Sequence, residues 1–97
     1  MIDQKSTNVR TQGNKTIVKL YDTDIVSFDD ESITLNHGGF KTATTKRRMN
    51  QVSETFNLRF NVIQEDFKWF VEILAYKNNS LISTREFSKE GKVKFSR

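Results

Sequence analysis

Ile33-Thr34-Leu35-Asn36-His37-Gly38-Gly39-Phe40-Lys41-Thr42-Ala43-Thr44-Thr45-Lys46-Arg47-Arg48-Met49-Asn50-Gln51 changes its hydrophobic period part-way, and the change decides the fold. Ile33 and Leu35 alternate with polar neighbours, as a half-buried strand does. Gly38-Gly39 then breaks the run. From Thr44 onward the apolar positions Met49, Val52 and Phe56 recur at helical spacing, which predicts a helix over Thr44 to Phe56 with Thr42, Thr44 or Thr45 as its cap. Lys46 and Asn50 fall on one flank of that helix, Thr44, Arg48 and Gln51 on the other, and Arg47 points away from the core. The run is dense in hydroxyl and cationic side chains and poor in apolar bulk. A glycine turn opening into a basic helix suits a phosphate-bearing ligand, because glycine N–H groups and the first helical turn both offer donors to an anion.

Upstream, Thr16 to Tyr21 and Asp24 to Phe28 read as strands, and with Ser32 to Asn36 they form an antiparallel meander. Asp29-Asp30-Glu31-Ser32 is turn chemistry. Residues 1–14 are polar and read as a flexible arm on a single domain spanning 1–97. Downstream, Leu58 to Ile63 and Phe67 to Leu74 alternate as the two arms of a hairpin closed by Glu65-Asp66. Its Phe and Trp face should pack over the Met49, Val52 and Phe56 stripe. Leu81 to Phe87 and Lys92 to Phe95 read as a last pair of short strands around Ser88 to Gly91. The expected class is α+β: a small antiparallel meander and a hairpin packed on one central basic helix.

Composition narrows the function. A chain of 97 residues buries roughly 60–65% of its unfolded surface, which allows one small core. Eight Phe, two Tyr and one Trp raise the area buried per residue. A net charge of +4 favours anionic partners. The absence of cysteine and the single histidine, His37, leave no thiolate or ordinary zinc site. Asp22, Asp24, Asp29 and Asp30 follow no calcium-loop spacing. No cofactor motif is present. Met1 to Lys15 lacks an apolar h-region and the longest apolar run, Phe67 to Tyr76, is broken by Lys68 and Glu72, so neither a leader peptide nor a membrane span is expected, and the cytosol is the expected location.

An enzyme is not expected. There is no Gly-x-Ser-x-Gly elbow and no phosphate-hydrolysis loop of Gly-x4-Gly-Lys-Ser/Thr spacing. Nucleic acid is a rival partner, since basic and aromatic residues interleave between Phe40 and Arg48. The compactness of that basic run favours a small phosphorylated ligand over a polymer. Taken singly, the Gly pair is a sharp turn and Lys46-Arg47-Arg48 a wetted helix face. Together with Thr42, Thr44, Thr45 and Asn50 they point to a binding site.

Tyr21-Asp22-Thr23-Asp24-Ile25-Val26, followed by Leu35-Asn36-His37-Gly38-Gly39-Phe40-Lys41-Thr42 and Thr44-Thr45-Lys46-Arg47-Arg48-Met49-Asn50, resembles a motif of small bacteriophage proteins. In that motif a Leu-Asn-x-Gly-Gly-Trp-x-Thr turn precedes Thr-Thr-Lys-x-Arg-x-Asn. The family it resembles is the phage immune-evasion proteins that act as cyclic-nucleotide sponges against the antiphage signalling system CBASS. The resemblance covers about a third of the chain. It implies a homotetramer that sequesters a cyclic dinucleotide, such as cyclic GMP-AMP, without cleaving it. Phe40 stands where the motif has Trp, so an indole N–H donor is lost there.

These readings together assign a ligand site. Gly38 and Gly39 bring the backbone to phosphate; Thr42, Thr44 and Thr45 donate hydroxyl bonds; Lys46 and Arg48 neutralise charge. Phe40 stacks on a base, and Asn36 and Asn50 read base edges or fix the loop. The rival readings are a small phage nucleic-acid-binding protein and a protein-directed inhibitor of a host enzyme.

Overall fold

A computed structural model describes Ile2 and residues 5–97. Its eight strands and one helix are β1 (Thr7–Gln12), β2 (Lys15–Leu20), β3 (Thr23–Phe28), β4 (Ser32–Asn36), α1 (Ala43–Phe56), β5 (Phe60–Glu65), β6 (Lys68–Leu74), β7 (Leu81–Glu86) and β8 (Lys92–Ser96). They form two antiparallel sheets, one of order β1-β2-β3-β4-β8 and one of order β5-β6-β7, with α1 joining them. This is the small α+β architecture expected, a meander and a hairpin packed on one helix.

One core holds the molecule together. Val18, Leu20, Val26, Phe28, Ile33, Leu35 and Phe95 point inward from the larger sheet and Phe60, Val62, Trp69 and Val71 from the smaller. Met49 and Val52 of α1 lie among them with no exposed surface, and Phe56 packs against the edge of the cluster. The helical stripe therefore does what its spacing predicts.

The helix also closes a sheet edge. Asn50 donates its amide N–H to the Val62 carbonyl (3.1 Å) and accepts the Val62 N–H (2.7 Å). One turn on, Ser53 Oγ donates to the Phe60 carbonyl (2.7 Å) and accepts the Phe60 N–H (3.0 Å). Two side chains thus take the place of a neighbouring strand along β5, whose edge would otherwise present unpaired backbone groups. Helix α1 ends at Asn57, which adopts the left-handed conformation (φ 57°) common at helix C-termini.

Three expectations are corrected. The arm over residues 1–14 is replaced over Thr7–Gln12 by β1, which pairs with β2 through a two-residue turn at Gly13-Asn14, while Ile2 is buried in the core. Met1, Asp3 and Gln4 lie outside the described residues. β1 is ordered by backbone hydrogen bonds rather than burial, so hydropathy gives no sign of it. The last two strands do not pair with each other: β7 joins β6 and β8 joins β4, so residues 87–91 cross from one sheet to the other. Finally, the hairpin turn is Asp66-Phe67 rather than Glu65-Asp66, because Glu65 pairs with Lys68. Phe67 is consequently 87% exposed instead of inward. No helix among the described residues is long and apolar enough to cross a membrane.

Candidate functional site

The segment between β4 and α1 is held by its own hydrogen bonds. Asn36 Oδ1 accepts the Gly38 N–H (2.9 Å), and His37 Nδ1 accepts the Gly39 N–H (3.0 Å). The Phe40 N–H donates to the His37 carbonyl (2.9 Å), and the Thr42 N–H to the Phe40 carbonyl (2.9 Å). Gly38 and Gly39 both have positive φ, 60° and 85°, the left-handed region glycine enters freely. Gly38 lies so close to Thr23 that an added Cβ would fall 2.7 Å from its hydroxyl oxygen.

His37 anchors this turn from beneath. It is 4% exposed, meets Trp69 edge-on at 5.3 Å and stacks on Phe87 at 5.7 Å. Its ring lies directly over Gly91, where a Cβ would collide with Nδ1 and Nε2 at 2.7 Å. The His37 N–H donates to the Gly91 carbonyl (3.0 Å), so the crossover between sheets and the site turn are tied at one residue. Burial, with Lys41 nearby, lowers the imidazole pKa from its ordinary value. The ring is thereby kept neutral, with its proton on Nε2, since Nδ1 is an acceptor.

Thr42 caps α1: its Oγ1 accepts the Thr45 N–H (3.2 Å) and lies 3.0 Å from Thr45 Oγ1. The first two helical amides, Ala43 and Thr44, have no acceptor within the helix, and both residues are exposed at its positive end.

The anticipated site residues do not gather in one place. Phe40, Thr42 and Thr45 line a cleft of about 170 Å³ together with Leu20, Tyr21, Thr23, Ile25 and His37. Lys46 and Asn50 line an open groove on the outer side of α1 with Ala43, Arg47, Gln51 and Glu54, and Thr44 is exposed at the helix start. Arg48 is turned the other way, only 4% exposed, and donates to Thr7 Oγ1 at 3.0 Å. Asn50 spends its carboxamide on Val62, and Asn36 fixes the loop. Gly38 and Gly39 stand beside the cleft, but their amides already have acceptors, so the glycine cradle expected for phosphate is corrected to a braced turn.

Reasoning from the sequence missed Tyr21 and His37 as cleft residues and Ser53 as a partner of β5. For Ser53 a sign was present: a small polar residue beside the buried Val52 needs a partner of its own. Tyr21, expected as the last residue of a strand, lies instead in the two-residue loop between β2 and β3, and that loop carries its ring to the cleft.

No curated protein and no solved structure matches this chain. The model of one family, the Kyanoviridae Gp96 protein, matches residues 1–94, nearly its whole length. The chain therefore belongs to the Kyanoviridae Gp96 family of bacteriophage proteins.

Proposed function

We propose that this phage protein binds and sequesters a cyclic dinucleotide immune signal, such as cyclic GMP-AMP, without cleaving it. The observation that carries the reading is the adjacency of two chemistries: an uncharged cleft walled by Phe40, Thr42 and Thr45, and the open N-terminus of a basic helix beginning beside it. A base enters the first and a phosphate the second. In this arrangement the anion is held by the amides of Ala43 and Thr44 with Lys46 and Arg47, and the glycines shape the approach. Among the described residues no hydroxyl of the cleft is hydrogen-bonded to the His37 ring, whose Nδ1 accepts the Gly39 N–H, and this favours capture over turnover. The resemblance to CBASS sponges adds a homotetramer acting in the host cytoplasm.

The test is incubation with a panel of cyclic dinucleotides, removal of free ligand, release by heat and mass spectrometry. The reading stands if one member is retained and returned intact. It falls if none is retained or if the ligand comes back linear.

A second reading, nucleic-acid binding, has its own support. Arg10, Ile17, Ser27, Thr34 and Lys94 are cross-strand partners in one row on the outer face of the larger sheet, with Lys19 and Lys92 on the same face. Such a face would give affinity for short single strands that rises with length and falls with salt. The absence of an aromatic ring in that row ranks it second.

A further inference from the structure

Tyr21 stands at the first central position of the two-residue loop between Leu20 and Thr23, with φ +53°. That position favours glycine when φ is positive. A large aromatic side chain in the left-handed region is unusual and needs a reason outside the turn itself. Burial is not that reason, since Tyr21 is 66% exposed. The loop is secured from behind, where the Tyr21 N–H donates to the Ser6 carbonyl at 2.9 Å.

The ring lies on the cleft that Phe40 also lines, and Phe40 is 62% exposed. Beneath them are the buried side chains of Leu20 and Ile25, 4% and 1% exposed. The remaining lining residues, Thr23, His37, Thr42 and Thr45, are uncharged, because the buried imidazole is neutral. A cavity of about 170 Å³ is well below the roughly 300 Å³ at which drug-sized pockets begin. It admits one planar ring system and not a whole dinucleotide. Two open aromatic faces over an apolar floor, with hydroxyl groups at the rim and no charge, match a nucleobase and do not match a phosphate.

We propose that Tyr21 is the second aromatic wall of the ligand site, and that the cleft takes one nucleobase against the Tyr21 and Phe40 rings. This inference rests on the sequestration reading for its natural ligand but not for its chemistry. The phosphates are left to the helix start, outside the cleft. Because the cleft holds a single base, the second base of a cyclic dinucleotide is bound elsewhere.

The test compares wild type with Tyr21→Phe, Tyr21→Ala and Tyr21→Gly by calorimetry with cyclic GMP-AMP, alongside thermal melts. Stacking on an aromatic ring predicts roughly a 5- to 100-fold loss of affinity for Tyr21→Ala and Tyr21→Gly, and about twofold or less for Tyr21→Phe. Tyr21→Gly should melt at or above the wild-type temperature, because it relieves the positive φ; a merely structural tyrosine would show the reverse. Affinities of all three variants within about twofold of wild type overturn the inference. If wild type binds no cyclic dinucleotide, the sequestration reading has failed and the cleft is tested with adenosine and guanosine by ring-proton NMR. Shifts of both the Tyr21 and Phe40 rings in wild type, with the Phe40 shift lost in Tyr21→Ala, uphold the inference, and unmoved rings in wild type or an unchanged Phe40 shift in the variant overturn it.

Discussion

The N–H of Gly39 donates to Nδ1 of His37, two residues earlier, at 3.0 Å. One imidazole therefore braces the turn that opens the ligand site and, through its ring over Gly91, the crossover that joins the two sheets. Nδ1 can play this part only when it carries no proton.

That requirement sets a pH dependence. Burial and Lys41 lower the His37 pKa below 6.5, so between the folded value and 6.5 the unfolded chain binds the extra proton. The stability supplied by the neutral ring is complete above that window and is lost as pH falls through it. Asp29 is shifted down from 3.8 by N–H donors from Glu31 and Ser32, so its contribution fades only in more acidic solution. Melts at pH 7.5 and about 5.5 should show a larger drop for wild type than for His37→Gln. Equal drops would mean that the imidazole does not titrate against the fold.

The glycines should rank by what surrounds them. Gly91→Ala combines φ +82° with a collision into the His37 ring and should be the most destabilising, by roughly 2–4 kcal/mol. Gly38→Ala meets the Thr23 side chain at 2.7 Å and should follow. Gly39→Ala has open space around it and should cost only the left-handed backbone, about 1–2 kcal/mol. Chemical denaturation of the three variants gives the order directly, and Gly39→Ala as the worst would contradict the packing beneath the turn.

Asn50 is a fold residue by its contacts. Asn50→Ala leaves the buried N–H and carbonyl of Val62 without their helix partner and should cost about 1–3 kcal/mol. Ligand affinity of the folded fraction should stay within about twofold. A large loss of affinity with an unchanged melt would return Asn50 to the binding site.

Lys46 and Arg48 are expected to behave differently despite sharing a helix. Lys46 faces the open groove, and Lys46→Ala should weaken cyclic dinucleotide binding by about tenfold with little change in stability. Arg48 is buried against β1 and holds Thr7, so Arg48→Ala should lower the melting temperature, costing roughly 1–3 kcal/mol. Identical melts for both variants would contradict the placement of Arg48.

What the sequence disclosed and what it hid divide along the range of the interactions. The passage from alternation at Ile33 and Leu35 to the Met49, Val52 and Phe56 stripe is local, and the helix begins one residue from where that change places it. The partners of β7 and β8 are set by chain segments far away, and two short strands close together in sequence give no sign that they enter different sheets. β1 buries almost nothing, so its order rests on backbone pairing that hydropathy cannot register. Within the site, the motif drew attention to the turn and the cap. The capture of both glycine amides by Asn36 and His37 depends on side-chain geometry that composition does not carry.

Amide shift mapping during titration with cyclic GMP-AMP reads directly whether the turn and the start of α1 form the ligand site. Binding at this site gives the largest shifts at Tyr21, Phe40, Ala43, Thr44 and Lys46, saturating together. Shifts confined to Arg10, Thr34, Lys92 and Lys94 on the outer sheet face, with the turn and helix start unmoved, would contradict it.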